Sequence, residues 1–239
     1  EVKVPWHRVF VNGNIDTQFA QWHNTPAHTY QNYQAEIRLT VKLRFLVGLA
    51  KRIAEMTGAI KFPQVVEKLG YVSSQLQVIE AFVYAMETKG WNFGAYYLPN
   101  KELLYASQVQ SQRLYPKVID TVRDLAGGGM IMLPSSIEDF HDSEVAELIG
   151  KTQYSPAASS EERVKFFKLA WDAIGSEFGS RHTQYEMFYS GPRVVTTGMA
   201  FRTFQWERTT DLVDDCLRSY ESPSSTSLTS VVPPTRGIN

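Results

Sequence analysis

Between residues 63 and 88, Val65, Leu69, Val72, Leu76, Ile79, Val83 and Met86 recur at alternating steps of four and three. That spacing lines them along one stripe of an α-helix, and such a stripe is stable only when other helices cover it. The chain is therefore expected to build a helical bundle around this seam. Between Ile37 and Ala54 the apolar residues Leu43, Phe45, Leu46, Val47, Leu49, Ala50 and Ile53 occupy almost every face, broken mainly by Arg44 and Lys51. A helix of that kind is expected at the centre, surrounded by others. Thr57 and Gly58 read as its stop, and Pro63 suits the first turn of the next.

A third helix is predicted over about 101–125, carrying Leu104, Val109, Leu114, Val118 and Val122, kinked at Pro116 and ended by Gly127, Gly128 and Gly129. A fourth long helix begins at Ser159, whose spacing to Glu162 is that of a capping box, and is expected to run to about Phe188. Its stripe is Val164, Phe167, Trp171, Ile174, Phe178 and Tyr185. A short helix near 142–149 and a last one near 195–220 complete the set. Before the bundle, Val2, Val4 and Trp6 alternate around Pro5, so residues 1–14 read as extended, the end of a β-rich unit lying mostly outside this chain. The division expected is residues 1–25 as the end of a β domain and linker, 26–221 as the helical domain, and 222–239 as a loose tail. In that tail 11 of 18 residues are Ser, Thr or Pro.

Charge and composition exclude several functions. Lys and Arg number 24 against 25 Asp and Glu, so no global field favours nucleic acid or an anionic membrane surface. The apolar run Leu43 to Ala50 contains Arg44 and falls far short of the roughly 20 residues that span a bilayer. A soluble, cytoplasmic protein is expected, and the single cysteine, Cys216, fits a reducing compartment and excludes a disulfide framework. The chain opens at Glu1 with no initiator Met, which reads as a processed or partial chain.

No metal site is expected. Of the Glu-x-x-His pairs that di-iron bundles need, only Glu138 and His141 match, and the five histidines lack a ligand spacing. Gly175, Ser176, Glu177, Phe178 and Gly179 miss the nucleophile-elbow pattern by one place, and Gly127 with Gly129 lacks the third glycine of a dinucleotide fingerprint. Two glycine features remain. Gly127 to Gly129 serve either as a helix stop or as backbone that approaches a phosphate or ribose. Gly175, Gly179, His182 and Glu186, at steps of four, three and four, share one face of the predicted fourth helix. Interior glycines cost about 1 kcal/mol each relative to Ala, so something should lie against that face. A neighbouring helix satisfies the spacing as well as a flat ligand does, with Ser176, Ser180, Arg181 and His182 as its polar contacts. Arg38, Arg44 and Arg52 need partners in a buried helix, and oligomer salt bridges or ligand anions both supply them.

The runs Asp124 to Ser136 (DLAGGGMIMLPSS) and Lys168 to Glu186 (KLAWDAIGSEFGSRHTQYE), with the opening Val4 to Phe10 (VPWHRVF), resemble the C-terminal region of the 4-hydroxyphenylacetate 3-hydroxylase family. The resemblance extends over about 1–221. It implies an all-α, four-helix up-down bundle of the acyl-CoA dehydrogenase C-terminal type, preceded by a strand of a middle β domain. It further implies the oxygenase component of a two-component monooxygenase, hydroxylating 4-hydroxyphenylacetate or a phenol or chlorophenol with O₂ and reduced FAD through a C4a-hydroperoxyflavin. An NAD(P)H:flavin reductase would supply the reduced FAD, and the oxygenase would be a homotetramer. On this reading Gly175, Ser176, Glu177, Phe178, Gly179, Ser180, Arg181 and His182 approach the flavin. Gly127, Gly128, Gly129, Leu133, Pro134 and Ser135 meet its adenosine end from a neighbouring subunit, and Lys61, Phe62 and Gln64 also reach it. The phenol-binding residues would lie mostly outside this chain. Two alternatives stand beside it: an oligomerisation module without catalytic residues, and a 4-hydroxybutyryl-CoA dehydratase-like lyase. The lyase is disfavoured because Ala35 and Tyr30 stand seven residues after His28 and His23, where a cluster-ligating cysteine would be needed.

Overall fold

The computed structural model describes residues 1–220. Nine α-helices and one two-stranded sheet occur among them. The chain divides into two units, Glu1–Thr203 and Phe204 onward.

In the first unit, α1 (Ile15–His23) precedes α2 (Ala27–Met56), α3 (Pro63–Thr88) and α4 (Lys101–Ala126). The three long helices pack on one another. Gly58, at φ 72°, turns the chain from α2 toward α3, which opens on Pro63 as expected. The seam residues Val72, Ile79 and Met86 are fully buried, and the other four are partly buried. Between α3 and α4 the chain forms a hairpin not foreseen from the sequence, β1 (Trp91–Phe93) paired antiparallel to β2 (Tyr96–Leu98). Gly94, at φ 58°, supplies the left-handed turn residue. After α4, which contains Pro116 and ends at Gly127, come α5 (Ser143–Thr152), α6 (Ser160–Ile174), α7 (Glu177–Phe188) and α8 (Arg193–Thr203). The Ser159–Glu162 capping box is formed in both directions. In the second unit α9 (Glu207–Tyr220) stands as its own helix. Its first amide donors, Thr209 and Thr210, bond to the Trp206 carbonyl.

The apolar core joins Leu39 to Ile53 of α2, Val72 and Ile79 of α3, Leu114 to Ala126 of α4, and Phe167, Ala170 and Ile174 of α6. Four helices thus enclose one core, the bundle that the spacing predicts.

Four expectations are corrected. The fourth long helix is two helices, because the chain breaks at Gly175 and Ser176. Trp171, Phe178 and Tyr185 accordingly leave the buried stripe and are 40–72% exposed. The expected last helix is likewise divided, into α8 and α9. Residues 1–14 hold one turn of 3₁₀ helix at Trp6–Arg8 and pair with no strand. Finally, α2 is not covered all round by the described residues: Ile37, Val41 and Phe45 are exposed. The expected tail, residues 222–239, lies outside the described residues. Among the described residues no helix is long and apolar enough to cross a membrane.

Candidate functional site

The break before α7 explains both of its glycines without a ligand. The Gly175 and Ser176 amides both donate to the Trp171 carbonyl, closing α6. Ser176 then caps α7 by accepting from the Gly179 N–H at 3.1 Å. A Cβ at Gly175 would stand 2.4 Å from the Trp171 ring, and one at Gly179 would stand 2.8 Å from the Ala173 carbonyl oxygen and the Ile174 nitrogen. The neighbour that the spacing demanded is the end of α6 itself. Gly179→Ala is therefore expected to destabilise the chain by about 2 kcal/mol, the cost of pushing backbone apart in a packed site. Urea unfolding measures this, and an unchanged midpoint would show that the elbow yields freely.

The remaining residues of this patch are open. Phe178 is 72% exposed, Ser180 is exposed, and Arg181 reaches back one turn to Glu177 at 2.9 Å. His182 is half-buried, stacked between Phe178 and Tyr185 with centroids 5.7 and 5.8 Å away. Its pKa is lowered, first by burial and then by Lys42 and Arg38, against the opposing pull of Glu186. Glu186 on α7, its side chain 6% exposed, ion-pairs with Lys42 and lies 3.7 Å from Arg38. The Arg38 guanidinium sits over the Tyr185 and Tyr189 rings, 5.0 and 4.5 Å from their centroids. Arg44 pairs with Glu80 and Arg52 with Glu55, so all three arginines have partners within the chain.

The glycine triplet is also a packing device. Gly127, at φ 53°, takes a backbone conformation that L side chains avoid, with open space where a side chain would point. Gly129 lies where a Cβ would press on the Phe167 ring at 3.1 Å, and Gly128 faces Met132. Just beyond them, Leu133, Pro134 and Ser135 line a pocket of about 310 Å³ with Met130, Ile131, Lys168, Trp171 and Asp172. Lys168 Nζ donates to the Ser135 carbonyl at 3.3 Å. Trp171 thus stands between the two predicted patches: one side faces this pocket and its ring abuts Gly175. None of Gly175 to His182 lines the pocket itself. Phe62 is exposed at the start of α3, with Lys61 over its ring at 5.8 Å, away from these linings.

One group escapes the sequence reading. Glu36 is 2% exposed between α2 and α4, accepting hydrogen bonds from Ser107 (2.5 Å) and Ser111 (2.6 Å). Burial, only partly offset by those two donors, pushes its pKa up to about 7. It heads a buried polar stretch in which Gln112 donates to the Met187 and Gly191 carbonyls and accepts from Thr196. The available signal was the run of polar residues Thr29, Asn32, Glu36 and Thr40 at helical spacing on α2. Glu138 and His141 sit 2.9 Å apart on the surface, and no group of three or more metal-ligating side chains occurs among the described residues.

Comparison with known proteins agrees with the resemblance in sequence. The family profile "4-hydroxyphenylacetate 3-hydroxylase C terminal" matches residues 19–218. The 4-hydroxyphenylacetate 3-monooxygenase oxygenase component of Klebsiella oxytoca is 34% identical over 229 residues, 92% of this chain and 44% of that protein. A Streptomyces globisporus monooxygenase of (3S)-3-amino-3-(3-chloro-4-hydroxyphenyl)propanoyl-[peptidyl-carrier protein] is 34% identical over 80% of this chain and 37% of its own length. A crystal structure of a 4-hydroxyphenylacetate 3-monooxygenase oxygenase component, complexed with FAD and 4-hydroxyphenylacetate, superposes with a TM-score of 0.82 at 28% identity. It covers 91% of this chain and 46% of that one. The chain spans less than half the length of the relatives it matches. It belongs to the 4-hydroxyphenylacetate 3-hydroxylase family, whose C-terminal helical region it represents.

Proposed function

We propose that this chain is the C-terminal bundle of the oxygenase component of a two-component, flavin-dependent monooxygenase that hydroxylates a phenolic ring. The observation that carries this reading is the 34% identity to such an oxygenase component across 92% of the chain. The relatives' different substrates support a phenol as the substrate class without choosing the compound.

The residues present fit part of an FAD site. The pocket beside Trp171 offers a cation in Lys168, a hydroxyl in Ser135, and apolar and aromatic surface in Leu133, Pro134 and Trp171, with the Asp172 carboxylate also in its lining. That donor set suits a phosphate and a flat ring system. Arg181, exposed and ion-paired with the equally exposed Glu177, can turn to a second anionic group. The glycines act here by shaping the elbow and the turn that present these side chains. When bound, the reduced flavin, delivered by a separate reductase, would supply the activation of O₂. The bundle's own part is to hold the cofactor and help keep water from it. A homotetramer accords with the exposed apolar face of α2 and α3, where Ile37, Val41, Phe45, Val66 and Val78 lack cover among the described residues.

The test is equilibrium titration of the full-length oxygenase with reduced FAD under anaerobic conditions. Lys168→Gln and Arg181→Ala are each expected to weaken binding by about tenfold or more, as for loss of a charged hydrogen bond. Arg181 is exposed and Lys168 is half-buried outside the apolar core, so folding should persist. Unchanged affinity in both variants would overturn the site assignment.

A further inference from the structure

A pocket of about 370 Å³ opens where α1, α2, α4 and α8 meet, lined by His23, His28, Lys101, Tyr105, Met199, Arg202 and Thr203. Its charge is one-sided. Lys101 and Arg202 are full cations, two imidazoles stand with them, and no carboxylate is in the lining. Neither Lys101 nor Arg202 forms a salt bridge among the described residues; the Arg202 Nη2 is instead 2.8 Å from the Met199 sulfur.

Proteins normally neutralise converging cations or leave them far apart in water. Here the groups are held by packing. The His23 and His28 ring centroids are 4.8 Å apart, and Trp22 meets the His28 ring edge-on at 5.4 Å. The Tyr105 hydroxyl and His28 Nδ1 are 2.8 Å apart, while Asn32 fixes the His28 backbone carbonyl from the next turn of α2. We infer that this pocket is a binding site for the oxyanion group, carboxylate or phosphate, of a small organic molecule, received by Lys101 and Arg202 with His23, His28 and Tyr105 around it.

The state of His28 accords with that geometry. Burial, then the positive fields of His23 on α1 and Lys101 on α4, hold its pKa down to about 4. The groups facing it are His23, Lys101, Tyr105 and Arg202, none of them acidic. A bound anion offsets those positive fields and raises the His28 pKa from its value in the free protein. The inference is independent of the flavin reading, because it uses other residues and needs no cofactor.

The experiment uses the full-length oxygenase with ring-labelled histidine, followed by NMR while inorganic phosphate or phenylacetate is added at pH 6. Saturable movement of the His28 signals with either probe is expected, together with a rise of the His28 pKa from about 4 by a unit or more. Phosphate alone saturating assigns a phosphate ligand; phenylacetate alone assigns a carboxylate. The Lys101→Gln/Arg202→Gln double variant, checked for unchanged helicity, is expected to bind about tenfold more weakly or worse. Lys101→Arg, which keeps the charge, is expected to retain binding. Failure of both probes to saturate the His28 shift, or equal affinity in the double variant, overturns the inference.

Discussion

Phe167→Ala is expected to lower the stability of the chain by about 4 kcal/mol, the middle of the range for emptying a buried aromatic site. Phe167 is fully buried and belongs to the core shared by α2, α3, α4 and α6. Three neighbours prevent collapse around the lost ring. The Arg163 guanidinium lies 4.5 Å over it, Phe166 meets it edge-on at 5.5 Å, and Gly129 has no side chain with which to refill the space. Urea unfolding followed by circular dichroism should show the midpoint falling without a change in slope. A loss below about 2 kcal/mol would mean that the glycine turn and α6 close together, contrary to the tight packing seen. Phe167→Leu, which keeps most of the volume, should recover much of the difference.

Glu36 should make stability depend on pH in the sense opposite to that of a salt-bridged acid. Its native pKa of about 7 lies above the ordinary value of 4.5, with burial the main cause, the nearby Glu186 adding to it and Arg38 opposing. Below pH 4.5 both folded and unfolded chains hold the proton and no penalty appears. Between 4.5 and about 7 the unfolded chain releases it while the folded chain keeps it, so stability falls as pH rises. Above that range the full cost stands, about 3 kcal/mol by the linkage relation. Glu36→Gln removes the ionisation while keeping groups able to pair with Ser107 and Ser111. The variant should match the wild type near pH 4.5 and exceed it by about 3 kcal/mol near pH 8. Parallel stability profiles for the two proteins would refute the claim.

The long helices were legible because burial imposes a period. Val72, Ile79 and Met86 disappear into the core at the steps that announce them. The Ser159 cap and the stop at Gly127 were legible because their chemistry is local. The elbow at Gly175 was hidden because Phe178 and Tyr185 continue the aromatic rhythm of α6 across the break, although they end up exposed. Periodicity cannot distinguish a helix that continues from one that restarts in step. The hairpin was hidden in strands of three residues whose aromatic content reads as core. Glu36 escaped for a different reason. Polar residues at helical spacing normally mark a solvated face, and only the facing Ser107 and Ser111 reveal that this one is interior.

Of the candidate site, the residue types were legible and their reasons were not. Gly175 and Gly179 looked like bare backbone because the groups that cover them, Trp171 and the end of α6, come into place only once the chain bends. Leu133 to Ser135 were marked by resemblance, and only the fold brings Lys168 and Trp171 beside them.

The way α7 is attached has a consequence for accuracy. This helix fully buries only Gly179, and it is tied to the bundle by Glu186 with Lys42, Tyr189 with Gln34, and the Met187 carbonyl with Gln112. Greasy surfaces can slide over one another at little cost, whereas donors and acceptors lose their energy steeply once misaligned. Three such bolts, gathered at the C-terminal end of the rod, fix the rotation and axial offset of that end more tightly than its modest contact area would, and the adjoining aromatic residues inherit that tolerance.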